Sequence, residues 1–501
     1  MSLSFAERAG MHSAERRAAC ERVRGQIASG AIERVRLSWC DVHGTLRTKT
    51  LMPAAALKAL DAGLGMVSTL MLKDSSDRTA FKVFEPGTGM TPSGFGYANN
   101  VVLLPDPASF QMLPWSSGTG WLRCETFFAD GQPIAFDTRR VLQQALARLA
   151  QLSPQGLSLT CGLEVEFHIY RIDPTAVDPQ LDPAAAAWPG PAPTPALRLV
   201  HPGYRLLSEQ WADLAEAPLR IVQETAQALG LPLTSLEIEL GPSQVEAVFE
   251  ATDALTAADQ MVLFRNATTQ ALRRAGYHAT FMCRPPFPNI MSSGWHLHQS
   301  LVRLGDGSNA FMRDAPGEGC GPLDARRELS DIGSHYLAGL LAHARGMSVF
   351  CTPTTNGYGR FQPNALAPQS AVWGRDNRGA MLRVIGGPGD PATRIENRIG
   401  EPAANPYLYM AAQIHAGLDG ITRQLQPPPA TDAPYASSAD ERLPTSLGEA
   451  LQALRDDGAL VAGFGADFVD YLSQIKRLEV DRQAQAQDAQ EWQAREYFGR
   501  I

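Results

Sequence analysis

The sequence predicts an α+β fold in two parts, a small N-terminal unit and a larger catalytic one. Three observations carry that prediction. At 501 residues the chain exceeds one ordinary domain. Short alternating strands gather ahead of residue 135, before the longer helical patterns begin. Four later strands carry charged or imidazole side chains along one face. In Cys161 to Tyr170, Leu163, Val165, Phe167 and Ile169 share one face, and Glu164, Glu166 and His168 share the other. Leu236 to Leu240 puts Glu237 and Glu239 on one face, Gly294 to His298 does so for His296 and His298, and Arg394 to Arg398 for Arg394, Glu396 and Arg398. A single acidic strand face ordinarily lies in water. Four such faces read better as the lining of one cavity, with their opposite faces packed on helices. Carboxylates that close repel one another unless cations lie between them, so the pattern predicts a metal-filled cleft.

Taken in order, residues 1–30 form an N-terminal helical segment, with a helix over 13–29. Ala31 to Cys40 alternates as a strand, Asp41-Val-His-Gly44 supplies a turn, and a second strand runs through Leu51. Pro53 opens a short helix over 53–63. The polar stretch from Lys73 to Asn100 reads as a loop region, and Val101 to Leu104 with Trp121 to Cys124 complete a small sheet, giving a unit over 31–135. Residues 136–501 form the catalytic unit. There Asp137 caps a helix bearing Val141, Leu142, Ala145, Leu146 and Leu149 at helical spacing. A Pro/Ala-rich surface insertion spans 172–200. Helices are predicted over 212–229, 254–275, 331–348 and 404–421, a strand over Ala279 to Cys283, a long loop over the cleft at 351–369, and a helical tail over 446–501.

Composition bounds the function. A hydrophobic fraction of 44% and a net charge of −8 fit a globular protein whose main partner is neither nucleic acid nor an anionic membrane. No apolar run is long enough to span a bilayer and no signal peptide is read, so a cytoplasmic protein is expected. Seven cysteines without paired spacing fit reduced thiols, and the absence of CxxC argues against structural zinc. Carboxylates with histidine suit a hard divalent ion, Mg2+ or Mn2+, and two such ions would offset nucleotide phosphates. With no Walker-type GxxxxGK[ST], ATP would be held by metals and by arginines, whose planar fork binds two oxygens at once.

These residues fall into blocks that resemble the glutamine synthetase superfamily. The blocks are Gly162-Leu-Glu-Val-Glu-Phe, Glu239-Leu-Gly-Pro-Ser-Gln-Val-Glu246, Ser293-Gly-Trp-His-Leu-His-Gln-Ser-Leu301, Thr354-Thr-Asn-Gly-Tyr-Gly-Arg360 and Arg394-Ile-Glu-Asn-Arg-Ile-Gly-Glu-Pro-Ala-Ala-Asn-Pro-Tyr-Leu408. The resemblance implies an N-terminal β-grasp domain, a catalytic domain with a curved antiparallel sheet, and ring-shaped homo-oligomers with active sites shared between subunits. It implies Glu166, Glu239 and Glu246 as ligands of one metal and Glu164, His296 and Glu396 as ligands of another. His298 resembles the histidine near the nucleotide phosphates. Arg360 and Arg398 resemble the arginines that hold the glutamate carboxylate and the transferred phosphate, Arg378 and Arg383 phosphate contacts, and Arg394 a nucleotide contact. The implied reaction phosphorylates the γ-carboxylate of glutamate with ATP, after which an amine displaces phosphate.

Three departures from the family pattern, and one candidate match, bear on the amine and the acid. Ammonia-using members carry a flap glutamate in a Tyr-Glu-Ala-Pro motif, whereas this chain has Asn364-Ala-Leu-Ala-Pro368, with Leu366 in that place. A leucine can neither bind ammonium nor take its proton, but it can line an apolar pocket. Met291-Ser292 replaces the usual Asn-Gly, which touches the grip on the acid, and Trp295 replaces a common methionine. Asp74 is a candidate for the ammonium-site aspartate, against an ordinary turn residue. The expected acceptor is therefore an organic amine, alkyl or aryl. The competing readings are an ammonia-dependent glutamine synthetase and a catalytically inactive structural or regulatory relative.

Overall fold

Two mixed sheets and the helices packed on them make up the chain. The computed structural model describes residues 3–85, 94–152, 155–173, 197–362, 366–436, 438 and 441–501. Most of the insertion expected at 172–200 lies outside these residues, as do 363–365 of the expected cleft loop.

The first sheet holds β1 (Arg34–Cys40), β2 (Leu46–Leu51), β3 (Leu64–Val67), β4 (Asn100–Pro105), β5 (Gln111–Met112) and β6 (Thr119–Phe127), in the order β2-β1-β6-β4-β3 with β5 on β6. A helix over Ala14–Ala28, capped by Ser13, and one over Pro53–Ala62, opened by proline, accompany it. The β1–β2 turn places Gly44 at φ +78. A Cβ there would stand 2.5 Å from the Arg265 guanidinium, which donates to the Gly44 carbonyl and to those of Pro402 and Ala404. Buried Arg265 thus joins the first sheet to the backbone that follows Glu401. Burial lowers its pKa to about 10, which still leaves it charged at neutral pH.

The second sheet holds β7 (Leu157–Ile172), β8 (Leu197–Leu199), β9 (Leu233–Ile238), β10 (Gln244–Asp253), β11 (Tyr277–Thr280), β12 (Trp295–Arg303), β13 (Trp373–Arg375), β14 (Leu382–Ile385) and β15 (Arg394–Asn397). Its order is β13-β14-β15-β12-β7-β10-β9, with β8 and β11 also on β7. The long central strand has an apolar face at Leu163, Val165, Phe167 and Ile169 that is buried to 2% exposure or less. That face packs on the helix Ala254–Arg274, with Phe167 edge-on to Phe264 and stacked on Phe281. One continuous hydrophobic core runs from Val35 in the first sheet to Ile475 in the tail.

Asp137 caps the helix Thr138–Ala150 by accepting from the amides of Arg139 and Arg140, and it also accepts from Thr126 of β6. Two expected helices are each broken in two. The helix expected at 331–348 divides into Asp331–Ala342 and Ala344–Cys351 at His343, whose ring bonds Asp419 and Asp457. The one expected at 212–229 divides into Glu209–Leu214 and Glu216–Ala228 at Ala215. A periodic pattern continues across such a break because both segments present their apolar residues to one core. The strand expected at 279–283 lies at Tyr277–Thr280, and the start of the loop expected at 351–369 is the end of a helix. The tail forms helices at Leu447–Asp456, Gly458–Phe464, Ala466–Ala484 and Ala489–Tyr497. Among the described residues no helix is long and apolar enough to cross a membrane.

Candidate active site

Strand pairing brings the polar faces together. Across the β7–β10 ladder Glu166 stands opposite Glu246, and across β7–β12 Glu164 stands opposite His296. His298 stands opposite Glu396 on β15, which in turn stands opposite Arg383 on β14. Side chains directly opposite in a ladder project to the same face, so one surface of the sheet carries them all. Glu239 lies just past the end of β9, with its amide bonded to the Gln244 carbonyl at 3.0 Å.

Three triads of possible ligand atoms result, each with all its atoms within 4.8 Å of one another. They are Glu166–Glu239–Glu246, Glu164–His298–Glu396 and Glu164–Glu246–His296. The first is the set the family resemblance implied for one ion. For the other ion both histidines lie beside the same acids. His296 Nδ1 is 3.4 Å from Glu164 and 3.6 Å from Glu396, and His298 Nε2 is 2.9 Å from Glu164 and 4.0 Å from Glu396.

The two ends of this surface differ in charge balance. Burial pushes the Glu164 and Glu396 carboxyls up, but the two histidines, and for Glu396 also Arg398, outweigh it and hold both below the usual range. Arg398 and Arg383 each donate to Glu396, at 2.5 and 3.2 Å. Burial, with Arg398 nearby, lowers His296 to about 4, so its ring is neutral and able to ligate. At the other end no arginine or lysine among the described residues pairs with the carboxylates. Burial and Glu239 raise Glu166 to about 7, and burial with Glu166, Glu164 and Glu239 raises Glu246 to about 10. Glu246 is 8% exposed and accepts no hydrogen bond from a described residue. His298 Nε2 is likewise buried, 2.9 Å from a Glu164 oxygen. Buried carboxylates facing one another without cationic partners fit divalent cations, and oxygens with one neutral imidazole suit Mg2+ or Mn2+.

The arginines surround this surface. Arg360, 5% exposed, donates to the carbonyl of Arg398 at 2.7 Å and lies 3.4 Å from His296 Nε2. Arg394 Nε donates to His298 Nδ1 at 3.0 Å, which leaves the ring proton on Nε2. Arg383 also bonds Asp376. Arg378, on the turn between β13 and β14, is exposed and has no hydrogen-bond or ion-pair partner among the described residues.

The pocket candidates divide. Met291 is half-buried beside Gly241, and Ser292 accepts from Arg284 through its hydroxyl and from Gln244 through its carbonyl. Trp295 does not line the cleft. It is fully buried on the opposite face of β12 from His296, edge-on to Tyr409, because successive strand residues alternate faces. Leu366 does not line an apolar pocket within one chain. Its side chain is 59% exposed at φ 52, and its carbonyl accepts from Arg398. Asp74 is buried in a turn, accepting from the amides of Ser76 and Arg78 and pairing with Arg482 at 3.2 Å, and it contacts none of the triads. Gly294 also belongs to the site. The Gly294 amide donates to Glu166 at 2.9 Å, and a Cβ there would stand 2.5 Å from Arg360. A glycine wedged between Ser293 and two alternating histidines was the available signal.

Comparison with known proteins agrees with this geometry. Residues 135–497 match the glutamine synthetase catalytic domain. The chain is similar to a γ-glutamylanilide synthase of Acinetobacter sp, 38% identical across 99% of each chain. It is also similar to a γ-glutamylethanolamide synthetase of Streptomyces coelicolor, 29% identical across 96% of each. Among solved structures it superposes on GmaS without ligand at a TM-score of 0.72, with 28% identity, covering 93% of this chain and 97% of that one. The chain therefore belongs to the glutamine synthetase family, in its γ-glutamylamide synthetase branch, and is an ATP-dependent ligase.

Proposed function

We propose that the chain joins the γ-carboxylate of glutamate to an organic amine, alkyl or aryl, with ATP as the phosphoryl donor. The observation that carries this reading is the bare triad Glu166–Glu239–Glu246 set against the arginine-rimmed end at Glu396. The family uses ATP and divalent ions, and the carboxylates here are arranged to hold such ions. When bound, Mg2+ or Mn2+ supplies charge that offsets the phosphates. Glu166, Glu239 and Glu246 would hold one ion, and Glu164, His296 and Glu396 the other, with His298 near the nucleotide phosphates. Arg360 and Arg398 would hold the acid and the transferring phosphoryl group, Arg378 and Arg383 the phosphates, and Arg394 the nucleotide.

A carboxylate oxygen of glutamate attacks the γ-phosphorus of ATP, and ADP leaves. The amine nitrogen then attacks the acyl carbon, phosphate leaves, and the nitrogen loses a proton. Closure of the segment after Arg360 would keep water from the acyl phosphate. Leucine at 366 favours an amine with an apolar part over ammonium, and the two named relatives act with anilide and ethanolamide chemistry. We place the protein in the cytoplasm as a ring-shaped homo-oligomer, in which a neighbouring subunit would complete the amine side of the site.

The test is phosphate release from ATP with Mg2+, glutamate and a panel of amines, with products read by mass spectrometry. Saturating turnover with dilute ammonium alone would favour an ammonia-dependent glutamine synthetase. No amine-dependent release at all would favour an inactive relative, which the intact triads argue against.

A further inference from the structure

Gln244 sits at the head of β10, two residues before Glu246 and 1% exposed. Its side-chain oxygen accepts from the Gly241 amide at 2.9 Å, which fixes which end of the amide is nitrogen. Nε2 then points at the acids. It donates to Glu166 Oε2 at 2.9 Å and to Ser293 Oγ at 3.1 Å, with the Ser292 carbonyl at 3.4 Å. The Gly294 amide donates to the same Oε2, also at 2.9 Å. Both hydrogen bonds to Glu166 therefore fall on one oxygen. Oε1 receives none from a described residue and faces His296 Nε2 at 3.9 Å. The backbone of Gln244 acts on a second acid, because its carbonyl accepts from the Glu239 amide at 3.0 Å. Strand alternation then sets Glu246 on the same face as Gln244.

We propose that Gln244 is the positioning residue of the Glu166–Glu239–Glu246 cation site: it occupies Oε2 of Glu166 so that Oε1 is presented to the ion, and it ties Glu239 to the strand that carries Glu246. The inference rests on reading these acids as metal ligands. It accounts for the residue type, since a glutamate of the same length would lose the donor and add a fourth carboxylate to the cluster. It also accounts for Gly241, where a Cβ would stand 2.6 Å from the Gln244 oxygen that orients the amide. The serine beside it closes the network. Ser293 Oγ, which accepts from Gln244, also bonds His168 Nδ1 at 3.3 Å, and His168 is fully buried behind the site.

The test is Mn2+ binding to the full-length protein, by calorimetry and by the electron paramagnetic resonance of the bound ion, with thermal melting of the metal-free protein as the check on folding. Gln244→Leu keeps the volume and removes the donor. It should weaken one ion by about 10–100-fold and leave the other unchanged. Ser293→Ala, which leaves the bond to Glu166 in place, should bind both ions as the wild type does. Wild-type affinity for both ions in a folded Gln244→Leu protein would overturn the proposal. Should that variant fail to fold, Gln244→Asn, whose amide withdraws from Glu166 by one methylene, should weaken the same ion, and unchanged binding there would overturn it equally. A wild type that takes up no Mn2+ would instead remove the metal reading on which the proposal stands.

Discussion

Glu246 faces Glu166 directly across the β10–β7 ladder, two buried carboxyls with no cationic side chain between them among the described residues. Burial and mutual repulsion push Glu246 to about 10 and Glu166 to about 7 in the cation-free protein. An ion can enter only as these carboxyls give up protons. Calorimetry at pH 8 in buffers of different ionisation enthalpy should show about one proton released per Mn2+ bound at this site. Affinity should rise with pH and level off only above about 10, where Glu246 is already ionised. Uptake without proton release would contradict the arrangement.

The same pair makes the metal-free protein sensitive to alkali. A carboxyl whose folded pKa lies above its unfolded value of 4.5 costs stability progressively as pH rises from 4.5 towards about 10. Glu246→Gln, which cannot ionise, should stabilise the metal-free protein at pH 8 by on the order of 1 kcal/mol in urea unfolding while losing an ion. A variant less stable than the wild type at that pH would refute this.

Gly294 keeps a space that Arg360 fills. Gly294→Ala should push the guanidinium aside and lower kcat/KM for glutamate by about 100-fold, with a smaller loss of Mn2+ affinity at the Glu164 end, where the Cβ would stand 3.1 Å from His296 Nε2. Equal loss of both properties would point to general damage to the sheet.

His343 holds two helices together at the kink between Ala342 and Ala344, with its ring 2.9 Å from Asp419 and 2.8 Å from Asp457. Burial lowers its pKa, but the two aspartates outweigh burial and the net shift is upward. Its stabilising effect is complete below its unfolded pKa of 6.5 and disappears as pH climbs through the raised folded value. His343→Asn should cost about 1–3 kcal/mol at pH 6 and much less at pH 9 in urea titrations. A loss that does not vary with pH would mean the ring acts by packing alone.

Position 366 tests the choice of amine. Leu366→Glu supplies the carboxylate that ammonia-using members carry at this place. The ratio of kcat/KM for ammonium to that for an arylamine should rise on the order of tenfold or more. A ratio that stays put would move the selection of the amine elsewhere in the cleft.

Much of this site was legible in the residues alone. The period of two in Cys161–Tyr170, Gly294–His298 and Arg394–Arg398 assigned each acid, imidazole and guanidinium to a face before any partner was known. The same period should have excluded Trp295, one step from His296 and hence on the other face. Its position in a motif alone makes it a pocket candidate. Leu366 and Asp74 were chosen by motif position too, and their surroundings in a single chain are solvent for one and Arg482 for the other.

What the sequence determined by itself is which side chains share a face, because alternation along a strand is a local property of the backbone. What only the tertiary structure decided is who meets whom: Glu246 opposite Glu166, both histidines beside Glu164 and Glu396, and Gln244 against Glu166. Those contacts depend on the register between strands far apart in the chain. Register is set by burying the apolar faces of all the strands against one core at once, and no single segment contains that information.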